Sequence, residues 1–87
     1  MHESGLIRDV VHRAEAAARD ANAKRIVRIS VWLGALSQMS DGHFREHFEQ
    51  EIPGTLAESA ELAVEVSDDP LHPQAQSVML QAVDLEV

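Results

Sequence analysis

The sequence contains no cysteine. Disulfide bridges, thiol catalysis and every cysteine-ligated zinc site are therefore excluded, although this absence does not identify the redox compartment. Aromatic residues are also scarce, with two Phe, one Trp and no Tyr among 87 residues, so the core must be mostly aliphatic. A chain of this length forms one small domain, and we expect a single domain over residues 1–87.

Long apolar runs are missing as well. No stretch approaches the roughly 20 residues of a membrane-spanning helix, and the chain does not open with a basic segment followed by an apolar core. We therefore expect no membrane partner and no secretory signal. Because no targeting signal is recognised in the sequence, we expect the cytoplasm as the default location.

Basic residues are absent from one part of the chain. Six of the seven lie between Arg8 and Arg28, and none follows Arg45. The net charge of −8 argues against a nucleic-acid partner, because phosphate binding needs a basic footprint. The asymmetry is compatible with an oriented protein contact, although a solvated acidic face is the more common explanation.

The first predicted helix covers residues 4–21, where apolar residues recur at helical spacing. Ser4 is the expected N-cap, and Asn22 tolerates the left-handed conformation that ends many helices. Charged residues and one histidine occupy the polar side of this helix: Arg8, Asp9, His12, Arg13, Glu15, Arg19 and Asp20.

The second predicted helix covers residues 41–51, with Ser40 as N-cap and a stop signal at Pro53. Phe44 and Phe48 are four residues apart and form its buried edge. This short helix therefore needs a sheet to pack against.

His43 and His47 have the same four-residue spacing, which is typical of paired metal ligands on a helix. Glu46 and Glu49 lie nearby in the sequence. Two histidines without a third ligand make a poor site, so the simpler interpretation places them at the border of the buried edge.

Three strands are predicted, over residues 24–34, 62–67 and 78–87, because apolar and polar residues alternate there. In the first strand Val27, Ile29, Val31 and Leu33 form the apolar face. A phase slip at Ala82-Val83 in the last strand indicates a β-bulge. Trp32 lies on the mixed face of the first strand, either as a partner anchor or flat on the sheet beside Ile26.

The order helix, strand, helix, strand, strand predicts an α+β fold, with two helices packed on one face of a three-stranded mixed sheet. The helix between the first two strands is compatible with a parallel crossover. The short link between the last two strands favours an antiparallel hairpin.

The chain shows no pattern typical of an enzyme. It has no nucleophile elbow, no phosphate-binding loop and no serine paired with a base in a recognisable setting. We therefore expect a protein that is not an enzyme.

Met1-His2-Glu3 places an imidazole beside the terminal amine and the first backbone amides. Nitrogen donors in a planar arrangement suit Ni(II) or Cu(II) better than Mg(II) or Ca(II). On the tripeptide alone, the favoured interpretation is an exposed terminus in which His2 has no special role.

The chain resembles the HypA/HybF hydrogenase nickel-incorporation proteins. The resemblance rests on an ordered set of short stretches spanning nearly the whole chain: Met1-His2-Glu3, Leu33-Gly34-Ala35-Leu36-Ser37, Phe44 and Phe48, Gly54-Thr55, Ala57-Glu58, Ala60-Glu61-Leu62 and Val83-Asp84-Leu85-Glu86-Val87. The resemblance implies two helices on a three-stranded sheet, the same fold that the residue patterns predict.

The resemblance also implies a function. The family delivers nickel during maturation of [NiFe] hydrogenases, with a HypB-like GTPase and the hydrogenase large subunit as partners. Its nickel site maps onto Met1, His2 and Glu3, and we expect Ni(II) as the bound metal.

One departure from the family is large. The family carries a zinc domain with two Cys-x-x-Cys pairs between its last two strands, whereas only Asp68 to Ser77 occupies this place here. We therefore expect no zinc, and we interpret His72 as a loop residue. Two functions are compatible with the sequence: a nickel metallochaperone without the zinc-binding insertion, or an interaction module of hydrogenase assembly that carries no metal.

Overall fold

The computed structural model describes residues 3–87, with side chains from Gly5 onward. Its elements in chain order are α1 (Glu3–Asp20), β1 (Arg25–Leu33), α2 (Asp41–Glu51), β2 (Glu61–Val66) and β3 (Val78–Glu86). The predicted fold class and element order are confirmed, and the boundaries agree to within one residue. None of the helices in the described part of the chain is long and apolar enough to cross a membrane.

The sheet has the strand order β2-β1-β3. β1 pairs with β2 in parallel, with Val31 opposite Val64, so the predicted parallel crossover is confirmed. β3 pairs antiparallel with the other edge of β1, with Leu80 opposite Val31, and the predicted β2–β3 hairpin is wrong. The apolar strand β1 is best buried at the centre, and the link over residues 67–77 carries the chain past its end to the free edge.

The sheet has two irregularities of register, both between β1 and β3. Gln81 is an extra residue of β3 between the pairs Ser30–Ala82 and Val31–Leu80, one residue before the predicted slip. Val27 is an extra residue of β1, opposite Leu85 and Asp84. This second bulge puts Ile26 in the core in place of Val27, so the apolar face predicted for the first strand is wrong at that position.

Both helices pack on one face of the sheet and enclose an aliphatic core with two phenylalanines. α1 contributes its apolar stripe, β1 its inner face and α2 two aromatic rings: Ile7, Val10, Val11, Ala14, Ala18, Ile26, Ile29, Val31, Leu33, Phe44 and Phe48. Phe44 is fully buried, which stabilises the domain by about 1.5–3 kcal/mol relative to an exposed ring. The core therefore fixes how α1 and α2 lie next to each other.

Of the two caps predicted for α1, the C-terminal one is confirmed and the N-terminal one is wrong. Asn22 has φ 57°, and the N–H of Ala23 donates to the carbonyl of Ala18 at 2.9 Å, so the expected left-handed C-terminal cap is confirmed. The N-cap prediction for Ser4 is wrong, because α1 already begins at Glu3 and an N-cap residue has a non-helical backbone.

Candidate metal centre

In the sequence, two of the predicted nickel ligands precede α1 and the third is its first residue. Met1 and His2 lie outside the described residues, and Glu3 is described only as the first residue of α1. Their assignment as ligands stays a prediction. What the structure adds is the set of elements that surround the beginning of this helix.

Both helices run opposite to β1, and therefore in the same direction, because α1 enters β1 through a short turn and α2 is the crossover from β1 to the parallel strand β2. Two contacts then show which parts of α1 lie near the end of α2 and the turn that follows it. The guanidinium of Arg8 reaches the carboxylate of Glu51 through two hydrogen bonds of 3.3 Å, from Nε to Oε2 and from Nη2 to Oε1. Seven residues further along α1, Glu15 Oε2 accepts a hydrogen bond of 3.3 Å from the backbone N–H of Leu56. Residues later in α1 therefore contact residues later in the segment formed by α2 and the turn that follows it.

The parallel arrangement brings the first turn of α1 beside the middle of α2. At 1.5 Å per helical residue, Glu3 lies about 7.5 Å before Arg8 along the axis. The same distance back from Glu51 along α2 ends at Glu46. The start of α1 is therefore level with the His43–His47 half of α2.

The ion pair between Arg8 and Glu51 is formed throughout the physiological pH range. The side-chain hydrogen bond to Glu51, followed by Coulomb attraction, raises the pKa of Arg8 above its ordinary value. The stabilisation that accompanies the raised pKa of a cation is fully present at every pH below the pKa in the unfolded chain. It is lost only as pH rises through the higher pKa of the folded protein. That window lies above the physiological range, so the two helices stay linked near neutral pH.

α2 carries its two histidines on a well-anchored scaffold. Ser40 is the N-cap, as predicted, and its Oγ accepts the N–H of His43 at 3.1 Å. Phe44 and Phe48 stack in the core with ring centroids 6.3 Å apart. His43 and His47 are half-buried on the neighbouring edge, with ring centroids 4.8 Å apart and planes tilted by 37°.

The arrangement limits which side chains could hold a metal. Among the described residues, no three His, Asp or Glu side chains come together as a possible metal-ligand group. His43 and His47 alone would offer two imidazoles, a number that leaves most positions of a metal ion to other ligands. The complete set of donors proposed from the sequence thus depends on Met1, His2 and Glu3.

Trp32 and His72 have roles that the sequence did not show. Trp32 lies on the sheet face opposite the helices and is only 7% exposed, which favours its packing on the sheet over a role as partner anchor. His72 covers it, with ring centroids 4.9 Å apart, and His72 Nδ1 accepts the N–H of Gln74. His72 is therefore a loop residue, as interpreted, and it helps to bury the only tryptophan.

Comparison with known proteins places this architecture in a family. A family model described as hydrogenase/urease nickel incorporation, metallochaperone, hypA matches residues 1–72. The hydrogenase maturation factor HypA of Picosynechococcus sp. is 38% identical over 65 residues, which cover 75% of this chain and 58% of the relative. HypA of Chlorobium limicola is 37% identical over 65 residues, covering 75% of this chain and 56% of the relative.

Solved structures share the fold. The solution structure of the Ni metallochaperone HypA from Helicobacter pylori superposes with a TM-score of 0.83 at 18% identity, covering 99% of this chain and 98% of that one. A second HypA solution structure gives 0.78, also at 18% identity, covering 98% and 96%. At this level of identity the likeness shows the fold alone.

The fold and the family match define a class of proteins that the family model describes as metallochaperones. The chain belongs to the HypA family, whose model describes nickel incorporation into hydrogenase or urease. It spans somewhat more than half the length of the curated relatives that it matches.

Proposed function

We propose that this protein is a nickel metallochaperone for the maturation of [NiFe] hydrogenase, holding Ni(II) at Met1, His2 and Glu3. The observation that carries the proposal is the extent of the family match, which begins at Met1 and therefore includes the whole tripeptide. The position of Glu3 as the first residue of α1 supports it, because this half of the helix is linked to α2 by the pair Arg8–Glu51.

The proposed donors are the Met1 amine, the His2 imidazole and the backbone nitrogens of His2 and Glu3. Such a nitrogen-rich planar set favours low-spin Ni(II), which has a visible absorption band. The carboxylate of Glu3 acts as an orienter of His2 rather than as a ligand. Because the amine and the amides must lose protons, nickel affinity rises with pH.

The same proposal includes partners and excludes zinc. A HypB-like GTPase contacts the polar side of α1, since transfer of nickel requires the donor site to lie close to the receiver. The hydrogenase large subunit is the final recipient. No structural zinc is bound, because the chain has no cysteine and the link between β2 and β3 is short.

A second function is supported by the same missing cysteines. The chain would then be an interaction module of hydrogenase assembly, with a HypA fold and no metal traffic. The two functions differ in one measurable property, which is nickel binding by protein with its own N-terminus.

Nickel titration by calorimetry, with the visible spectrum as a second readout, tests the proposal. Loss of a residue that only orients a ligand reduces metal affinity by about 10–100-fold. His2→Ala should reduce nickel affinity by more than this, because it removes a ligand. One residue added before Met1 should do nearly the same while leaving His2 in place, since it converts the amine into an amide. His12→Ala, an exposed histidine on α1, is the matched control and should change nothing.

The extended protein is the sharper variant. An ordinary histidine site would survive the extension, whereas a chelate built on the terminal amine would not. If the native protein binds no nickel, or if the extended protein binds it with the same affinity and spectrum, the carrier function is wrong and the interaction module is favoured.

A further inference from the structure

The outer edge of β2 carries backbone groups that no other strand binds within the part of the chain that the structure describes. β2 lies at one edge of the sheet and pairs there with β1. The N–H of Ser67 donates to the carbonyl of Leu33, so the backbone groups of every second residue before Ser67 also point to β1. The groups of the residues between them, Leu62, Val64 and Val66, therefore point outward.

Arg45 confirms this direction and covers one of the outward groups. Its Nη1 donates to the carbonyl of Leu62 at 3.0 Å, while its Nε binds Asp41 one turn earlier on α2. Charged side chains placed on a free edge keep other strands away from it. Within residues 5–87 the structure records no such contact to the carbonyls of Val64 and Val66.

The same edge presents an apolar side chain at one end and a cavity at the other. Val66 is 54% exposed, although its partner in β1, Leu33, is fully buried on the face that packs on the helices. An open cavity of about 210 Å³ lies between α2 and the beginning of β2. It is lined by Arg45, Phe48, Glu49, Ile52, Ala60 and Leu62. An antiparallel second copy of β2 brings these two ends together.

Charge selects one way of pairing two copies of this edge. Three registers related by a two-fold axis pair at least two of the outward residues, and they are centred on Ala63, Val64 or Glu65. Like charges directly opposite each other destabilise a sheet. The register centred on Ala63 sets Glu61 against Glu65, and the one centred on Glu65 sets this residue against itself. The register centred on Val64 sets Glu65 against Ala63 and Glu61 against Ser67.

The register centred on Val64 also joins the apolar features. Val66 of one copy lies directly opposite Leu62 of the other, beside the cavity that Leu62 lines. All three outward residues exchange both backbone hydrogen bonds with the second copy. The result is a continuous sheet of three strands from each copy. One short pair of strands buries little surface, so the association is weak.

We propose that the outer edge of β2 is a self-association surface, to which a second copy of this chain adds its own β2 antiparallel in the register centred on Val64. Arg45 limits this association because it occupies the carbonyl of Leu62. A second copy fits because the edge is complementary to itself in this register. The interface consists of residues of β2 and α2 and needs no nickel, so the inference goes beyond the proposed function and does not rest on it.

Sedimentation velocity over a series of protein concentrations measures the association. Arg45→Ala should lower the dimer dissociation constant at least about tenfold, because it frees the carbonyl of Leu62 at both ends of the interface. Arg13→Ala is the matched control and should associate as native protein does, since Arg13 also pairs with an aspartate four residues earlier but belongs to α1. Added sodium chloride should strengthen the dimer, because each copy carries a net charge of −8.

A second substitution tests the contact at the cavity. Val66→Glu should return the Arg45→Ala protein to the monomer, because it places a carboxylate against apolar side chains and Glu49. Val87→Glu makes the same change at a valine that is 78% exposed and outside β2, so this control should keep the dimer. Thermal melts show that each variant is folded.

The register has a test of its own, because the native chain has no cysteine. Ala63 and Glu65 are both exposed, and in the proposed register they form a pair with Cα atoms about 4.5 Å apart, within the range of a disulfide. Ala63→Cys and Glu65→Cys proteins, both also carrying Arg45→Ala, are mixed in a glutathione buffer. The mixed disulfide should form readily, whereas Ala63→Cys protein alone should form little dimer.

Each experiment has an outcome that overturns the proposal. It is wrong if Arg45→Ala associates no more tightly than native protein, or if Val66→Glu and Val87→Glu weaken the dimer equally. It is also wrong if no mixed disulfide forms, or if Ala63→Cys protein alone is linked as efficiently as the mixture. A monomer under all conditions leaves the edge of β2 to a strand of a different protein.

Discussion

Glu15 shows how the environment of one residue changes its role. It lies on the predicted polar side of α1, yet it is 8% exposed, because the turn after α2 covers it. Its carboxylate accepts from Arg19 and from the backbone N–H of Leu56, each at 3.3 Å. The side chain therefore connects α1 to the segment that enters β2.

Replacement of Glu15 by Ala should destabilise the domain by about 1–3 kcal/mol, because it leaves the N–H of Leu56 without its acceptor in a partly buried position. Urea unfolding measures the change. Asp20→Ala on the same helix, at an exposed position, is the control and should stay within about 0.5 kcal/mol of the parent. Equal stability of the two variants would show that water replaces the carboxylate without cost.

Gly34 is required because another backbone comes too close for a side chain. A Cβ atom there would lie 2.1 Å from the carbonyl oxygen of Ala75, while the N–H of Gly34 donates to Ser77 and that of Leu36 to Ala75. The link between β2 and β3 is thus held against the end of β1 by hydrogen bonds at a glycine.

We expect Gly34→Ala to lower the free energy of unfolding by about 1–3 kcal/mol or more, because the obstructing atoms belong to the backbone and cannot rotate away. Gly42→Ala is the control: its Cβ meets nothing within 4 Å, and the change should be neutral or stabilising by up to about 1 kcal/mol. Thermal melts of the two variants give the comparison, and similar melting temperatures would contradict the close approach.

Among the elements, the two helices α1 and α2 are joined by an ion pair. Arg8 joins α1 to Glu51 of α2, whereas the ion pair that Arg13 makes within the described residues is with Asp9 of its own helix, at 3.1 Å. The two arginines are therefore unequal, although both occupy the predicted polar side of α1. Only Arg13 can be changed without affecting the contact between the helices.

Charge reversal separates these roles. Arg8→Glu should lower the melting temperature, since it places a carboxylate against Glu51, and adding Glu51→Arg should restore much of it. Arg13→Glu loses an exposed pair of about 0.3–0.5 kcal/mol and should melt almost as the parent does.

The same variants test the proposed GTPase contact. If a HypB-like GTPase binds the polar side of α1, Arg13→Glu should weaken complex formation in a pull-down without changing the melting temperature. Unchanged binding by Arg13→Glu would place the contact elsewhere and favour the interaction module with another partner.

For the whole molecule, we expect that folding needs no metal. Both helices and all three strands contribute to one buried core, and the chain has no cysteine to form a structural zinc site. Thermal melts of protein prepared without added metal should coincide with and without a strong chelator. A large drop caused by the chelator would reveal a structural site, and His43 and His47 would be the first residues to test.

The sequence alone determined the elements and the candidate chelate. Apolar periodicity located both helices and all three strands to within one residue, because it is a local property of each segment. Ser40 and Asn22 were predictable as caps for the same reason. Met1-His2-Glu3 could be proposed from sequence because its donors are neighbours in the chain.

Only the tertiary structure decided how the elements meet. It paired β3 with β1 instead of β2, buried Glu15 and Trp32, and joined Arg8 of α1 to Glu51 of α2. These relations join residues that are far apart in the chain, and they follow from which faces the core buries. Local patterns carry no information about them, because one alternation of apolar residues is compatible with several sheet orders.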